Sequence, residues 1–397
     1  MEEPRKIQKE KSSVSKNDNG TMQNNEKTPV LEVLLNYYLL KNIFQHLNGR
    51  NLASAAMVCR SWLEAANNEK KTRGPCYFIE FNTEYSSNFL WNIRNIRIKP
   101  SIGFLFVLTY TNYDIAELVK NLPKHCETII LYNDGIIMEK EYNESPNMLC
   151  AFLPQIPNLR VKSFELPEYF IISRTAEYQE IISTIVNNEI STSNHETCFM
   201  LFCNQEGHET AQRWASAIQE SQENKVVSVW GGVVRDIREQ RAHAGLCREQ
   251  TEIELSKGLP TSRCVAVLIT GPIQTWSMIL EWECNTEEQM EARLNLFKDK
   301  VKLKKHSIGF IFGSRFRQSD MFNEFYLNND GYLESTIFKR VFPTVSLVGC
   351  LSFGREFGKT TAVDEKKERD NKGKQDCKKS KSWYNCGSTV FLILTYG

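Results

Sequence analysis

Apolar positions along this chain follow two rhythms. Between residues 35 and 62 they recur every three or four positions, whereas from 76 onward most come as short unbroken runs. The first spacing predicts amphipathic helices and the second predicts strands. Leu35, Leu39, Ile43, Phe44 and Leu47 share one helical face. Asn48-Gly49 is expected to end that helix, because glycine accepts the left-handed conformation common at helix ends. Asn51 is placed to cap a second helix carrying Leu52, Ala55, Ala56 and Val58. Cys59 and Trp62 then fall on a third short turn. Three helices in about thirty residues hide too little apolar surface to stand alone. Such a unit needs either the rest of its chain or a partner, and the plain alternative is a helical hairpin of a larger core.

Lys70, Lys71 and Arg73 followed by Gly74-Pro75 form a basic, helix-ending joint and mark a domain boundary. Residues 76–81 read as a first strand. One pattern then appears three times: an apolar strand, an amphipathic helix and a second apolar strand. The copies are 101–110, 112–122 and 127–138; 197–204, 208–221 and 225–234; and 306–314, 330–342 and 344–354. Strand–crossover–strand units favour parallel neighbours joined right-handedly. The match between SIGFLF at 101–106 and SIGFIF at 307–312 suggests internal duplication. Two further strands, 263–270 and 273–283, are joined by Gly271-Pro272 and read as a hairpin. A helix over 287–297 and a closing strand over 388–396 complete the pattern.

Composition adds bounds rather than a function. The apolar fraction of 41% supports a folded core, and a net charge of +1 advertises neither a nucleic-acid nor a membrane partner. The 12 cysteines include no CxxC pair, and most sit in apolar runs, so they read as small buried side chains in a reducing compartment. None of the six histidines (His46, His125, His195, His208, His243, His306) lies in an HExxH or Cys/His cluster. No metal, cofactor or catalytic residue is therefore expected. The first 28 residues are polar and lack aromatics, so a disordered tail is expected there. Residues 363–381, with eight Lys or Arg and five Asp or Glu, read as a charged disordered loop; a nuclear-import patch is the functional alternative. With no secretory h-region and no apolar run of membrane-spanning length, a cytoplasmic or nuclear location is expected.

The run from Leu35 through Ile43-Phe44, Leu47 and Leu52 to Val58-Cys59-Arg60-Ser61-Trp62 resembles an F-box. Two positions depart from that family. Asn36 stands where proline is usual and Tyr38 where an acidic residue is common, which should cost helix-start chemistry. The resemblance implies docking onto the adaptor subunit of a cullin–RING ubiquitin ligase through Leu35, Leu39, Ile43, Phe44, Leu47, Leu52, Val58, Cys59 and Trp62. From about Tyr77 onward the chain resembles FIST-type domains. The resemblance rests on Ile308-Gly309-Phe310-Ile311-Phe312, the Gly231-Gly232 pair, and Gly349 with Gly354-Arg355-Glu356-Phe357-Gly358. The family's Cys-x-Gly-Arg-Gly turn is replaced by Ser314-Arg315-Phe316-Arg317-Gln318, which removes a close backbone approach that glycine permits.

The expected fold is α+β or α/β: a three-helix F-box over 29–74, then a large mixed-sheet FIST-type domain over 75–397, divided at about 240. Gly231-Gly232 reads as a tight turn or bulge rather than a phosphate-binding turn, since no GxGxxG or Walker pattern follows. Arg315, Phe316, Arg317, Phe322 and Tyr326 mix basic and aromatic residues and are the candidate contact surface for a protein substrate. The expected function is a non-catalytic substrate receptor linking a protein target, through the adaptor, to cullin and RING subunits. A small-ligand sensor of the FIST type with a helical appendage is the alternative.

Overall fold

Asn36 opens the first helix, α1 (Tyr37–Phe44). Its side-chain oxygen accepts the amide hydrogens of Tyr38 at 3.0 Å and Leu39 at 3.4 Å. The residue expected to weaken the helix start thus supplies an N-cap. Asn48 does the same for α2 (Gly49–Ala55), accepting from the Asn51 amide at 2.8 Å. Asn48-Gly49 therefore begins a helix rather than ending one, and Asn51 donates to the cap instead of being it. The third piece is not a short turn but an 11-residue helix, α3 (Arg60–Lys70). The computed structural model describes residues 36–81, 87–109, 118, 120–122, 126–142, 147–191, 196–240, 261–315, 317, 333–361 and 382–397. The expected disordered tail and charged loop lie outside the described residues.

Beyond the helices stand the strands β1 (Cys76–Glu80), β2 (Pro100–Leu108), β3 (Glu127–Asn133), β4 (Ile136–Met138), β5 (Lys140–Tyr142), β6 (Met148–Pro154), β7 (Arg160–Glu165), β8 (Glu196–Cys203), β9 (Ser228–Val233) and β10 (Asp236–Gln240). They continue as β11 (Cys264–Gly271), β12 (Gln274–Leu280), β13 (His306–Ser314), β14 (Ser346–Ser352), β15 (Arg355–Gly358), β16 (Tyr384–Cys386) and β17 (Thr389–Tyr396). Helices α4 (Ser87–Arg94), α5 (Ala176–Ser191), α6 (His208–Gln222), α7 (Glu287–Lys298) and α8 (Leu333–Val341) lie between them.

The three repeated units appear as three parallel pairs, β2–β3, β8–β9 and β13–β14, with Ile102 opposite Glu127, Cys198 opposite Ser228 and Ile308 opposite Ser346. α6 and α8 are the crossovers of the second and third pairs; most of the first crossover, 112–122, lies outside the described residues. Each pair is flanked on one side by an antiparallel strand of its own unit: β6 on β2, β11 on β8, β17 on β13. On the other side it receives a strand from a different unit. β3 takes β10, β9 takes β15 and β14 takes β4. The exchange is cyclic, so the body is a ring of three units, β1–β6, β7–β11 and β12–β17, in three mixed sheets. A division near 240 would cut the second unit between β10 and β11. The hairpin expected at 263–283 does not form either. β11 pairs with β7 and β8, while β12 pairs with β17 in another sheet.

The inner faces of the three sheets share one core, to which the leading strands contribute Phe104, Phe202, Phe310 and Phe312, joined by Trp230. Phe104 lies 5.6 Å from Phe310, and Trp230 lies 5.5 Å from Phe202 and 5.3 Å from Phe310, ring centre to ring centre. Their outer faces pack helices: Trp214 of α6 against Phe199 and Leu201, and Phe338 of α8 against Ile311. Strands covered on both sides read as unbroken apolar runs, which is why the rhythm changes at residue 76.

The N-terminal helices have a small core of their own, built from Leu40, Phe44, Leu52, Ala55, Ala65 and Ala66. They are also fastened to the ring. The Gly49 amide donates to Ile96 O at 2.8 Å, and a methyl group at Gly49 would lie 2.1 Å from Ile98 O. Close approach, and not a left-handed backbone, is what requires glycine there. Asn48 Nδ2 donates to Asn95 Oδ1 at 3.0 Å and Arg97 Nη2 to Gln45 O at 2.8 Å. Arg73 is buried at the joint. It donates to Glu69 Oε1 at 2.9 Å, to Phe44 O at 2.8 Å and to Arg97 O.

Candidate functional site

In α1, Leu40 and Phe44 are four residues apart and point inward, 1% and 0% exposed. One position round the helix, Leu39 (40%) and Ile43 (51%) face outward. The single face expected of Leu39, Ile43 and Phe44 is therefore split. Leu52 is buried as well, and Leu47 and Trp62 are half-buried, with Trp62 edge-on to Phe44 at 5.3 Å. Phe44 and Leu52 hold the unit together and are closed to a partner. The outward apolar set is Leu39, Ile43 and Val58 from the expected list, joined by Tyr37, Tyr38, Met57 and Leu63, which sequence reasoning missed. Val58 and Met57 lie on the turn after α2, beside exposed Cys59 at the start of α3. Leu35 lies outside the described residues. The periodicity itself could have revealed the split: of two adjacent apolar residues, Leu39 and Leu40, only one can face a core this small.

A second site forms where the exchanged strands turn. Asp134 sits at the corner between β3 and β4, Arg235 between β9 and β10, and Phe353-Gly354 between β14 and β15. The corners interlock through the backbone. Arg235 N donates to Tyr132 O at 2.9 Å, Phe353 N to Val233 O at 3.2 Å, and Leu351 N to Gly135 O at 3.1 Å. Asp134 is buried and accepts from Thr109 Oγ1 at 3.0 Å, from Arg235 Nε and Nη2 at 3.0 Å each, and from Arg315 Nη1 at 2.8 Å. Burial pushes its carboxyl up, but the hydrogen bonds from Arg235 and Thr109 and the two guanidinium charges outweigh it and hold it below the usual range. The guanidinium of Arg235 also lies over the Phe353 ring at 5.5 Å. Both arginines are more than half exposed, so the ring presents two cations on one buried carboxylate at the C-terminal ends of its parallel strands.

Arg317 does not join that surface. Its side chain is 3% exposed, pairs with Glu334 at 2.8 Å, and gives its other donors to Glu281 O at 2.5 Å and Cys284 O at 2.6 Å. It clamps α8 to the segment between β12 and α7 and is not a contact residue. Phe316, Phe322 and Tyr326 lie outside the described residues. Beyond this clamp, Glu334 accepts from Thr389, while buried Glu356 accepts from Ser352 and from the Ser388 amide. Burial pushes the Glu356 carboxyl up to about 8.

The Gly231-Gly232 pair is neither turn nor phosphate loop: it lies inside β9. A methyl group at Gly231, whose φ is +145°, would stand 1.9 Å from Leu201 O on the neighbouring strand. Gly349 lies within β14, Gly354 at the turn into β15 and Gly358 at the end of β15. Cys126, Cys150, Cys198, Cys203, Cys264 and Cys350 are buried. Burial raises these thiols, to about 12 for Cys126, so they are poor nucleophiles. Among the described residues no group of His, Cys, Asp and Glu forms a metal cage, and no helix is long and apolar enough to cross a membrane.

Residues 34–73 match the family model of the F-box domain. The chain thus carries an F-box domain, followed by the three-sheet α/β body. No curated protein matches the chain in sequence. Among solved structures, the cyanuric acid hydrolase from A. caulinodans is similar at a TM-score of 0.35 and 8% identity, covering 80% of this chain and 97% of that one. A likeness that distant has no bearing on function.

Proposed function

We propose that this protein is a substrate-recognition subunit of an SCF-type cullin–RING ubiquitin ligase, acting as a receptor and not as a catalyst. The observation that carries the reading is the outward apolar face of the F-box. Leu39, Ile43, Met57 and Val58 stand in solvent while the unit's own core closes without them. Exposed apolar side chains grouped on one small unit fit a protein interface. The adaptor subunit docks there, and through it the cullin and RING subunits. The body is a FIST-type domain, so that the order of domains resembles F-box only protein 22. It holds a protein target at the corner where Arg235 and Arg315 meet Asp134. Arginines rigidly placed on a carboxylate suit an interface, because little side-chain freedom remains to be lost on binding. The complex then works by proximity, raising the effective concentration of a target lysine near the charged carrier, in cytoplasm or nucleus, with degradation of the target as the outcome.

Affinity capture from cells, read by mass spectrometry, tests both ends. Ile43→Asp with Val58→Asp alters exposed residues only and is expected to lose adaptor, cullin and RING together while retaining targets. Arg315→Gln leaves the Arg235–Asp134 pair in place and is expected to keep the adaptor and lose targets. Adaptor retained by the first variant would refute the docking face. Targets unchanged in the second would place recognition elsewhere on the ring.

A further inference from the structure

Between the F-box and the ring the joint leaves a cavity of about 330 Å³ that is partly open to solvent. Lys70 comes from α3 on the F-box side, and Arg97 and Lys99 come from the segment entering β2 on the ring side; buried Arg73 also lines the cavity. Asn67 and Gln155 add polar groups, and no carboxylate lines the space. Glu69 answers Arg73 alone. Among the described residues no carboxylate pairs with Lys70, Arg97 or Lys99. The Lys70 ammonium makes one contact, to Asn67 Oδ1 at 3.3 Å, and Arg97 spends one N–H on Gln45 O at 2.8 Å. Burial, and then the charge of Lys99, pull the Lys70 ammonium below its usual value. Three cations facing one recess without a counter-charge repel one another, and a bound anion would relieve that repulsion.

We propose that this cavity binds a small soluble polyanion carrying two or more phosphate groups, held by Lys70, Arg97 and Lys99. Cations from both sides of the joint favour an anion with charge at both ends over a single phosphate. No aromatic side chain lines the cavity, so there is no platform on which a nucleotide base could stack. The ligand touches the F-box through Lys70 and the ring through Arg97 and Lys99. Its binding therefore stabilises the seated arrangement of the two. The inference does not rest on the adaptor reading, and its test uses the full chain alone.

The probe is sodium tripolyphosphate, titrated into the full-length protein at constant ionic strength, with thermal unfolding as the readout. A saturable rise in Tm is expected, larger than with orthophosphate and absent with matched chloride. Lys70→Gln with Lys99→Gln should weaken the apparent affinity about tenfold or more, since a charge-assisted hydrogen bond is worth about that factor. Lys298→Gln with Lys302→Gln, neither of which lines the cavity, should leave it unchanged. Lys99→Gln alone, an exposed change, gives an intermediate loss and covers the case in which the double variant folds poorly. Equal Tm in tripolyphosphate and matched chloride would overturn the proposal, as would an undiminished response in the double variant. A polyphosphorylated inositol lipid would offer the same chemistry. Co-sedimentation with vesicles containing it, without any response to tripolyphosphate, would assign the cations to a membrane surface and refute the soluble ligand.

Discussion

Arg73→Ala tests whether the F-box is seated on the ring or merely tethered to it. The wild-type guanidinium is 5% exposed and its partner Glu69 is 6% exposed. Three acceptors depend on it: Glu69 Oε1 at 2.9 Å, Phe44 O at 2.8 Å and Arg97 O. Phe44 O keeps a second donor, the Leu47 amide at 3.1 Å. The dominant loss is therefore the carboxylate of Glu69, left buried without its counter-charge. Breaking a buried pair from one side costs about 3–5 kcal/mol. Because a ring of this size need not unfold in one step, the cost should appear as local opening of α1–α3. Hydrogen–deuterium exchange there should accelerate about a hundredfold or more, while β8 and β13 keep wild-type protection. The double change Glu69→Gln with Arg73→Met removes both charges and should recover much of the loss. Unchanged protection of α1 and α2 in Arg73→Ala would refute the seated arrangement.

Two further perturbations follow from buried groups. Glu356 has a folded value near 8 against an ordinary 4.5, because burial disfavours its charge. The folded state therefore holds the extra proton between those values, and this group's contribution to stability falls as pH rises from about 4.5 to about 8. Glu356→Gln should gain stability relative to wild type between urea melts at pH 5 and pH 8; an equal difference at both would remove Glu356 as the cause. Gly49→Ala places a methyl group 2.1 Å from a backbone oxygen that cannot rotate away. It should cost about 1–3 kcal/mol in thermal unfolding, and a neutral result would mean that α2 does not sit on Ile98.

Much of the ring was legible in the chain. Strands such as 197–204 and 306–314 announce themselves because both faces are covered and their central positions, 198–203 and 308–313, carry no polar side chain. The parallel pairing followed from strand–helix–strand spacing. Ring closure was not legible, since β4, β10 and β15 are short and each leaves its own unit to pair with another. No local pattern encodes which sheet a short strand joins. For the same reason Gly271-Pro272 read as a hairpin: a turn pair reports a change of direction, not the destination. At the F-box, the cluster ending in Trp62 marked the unit, but the division of its apolar residues into inward and outward depended on where the 3.6-residue period met Leu40 and Phe44. Arg315 and Arg317 differ only by two positions in sequence. Asp134, 181 residues away from Arg315, and Glu334 decide that one is a surface cation and the other a buried clamp.

The most direct test of the account is an exchange footprint of the adaptor on the full-length protein. Hydrogen–deuterium exchange is measured with and without the purified adaptor subunit at saturating concentration. Protection is predicted over α1 and over residues 56–63, where Leu39, Ile43, Met57, Val58 and Leu63 face outward, with no change at the Asp134–Arg235–Arg315 corner. Absence of any protection on α1 and 56–63, or protection confined to the ring, would contradict it.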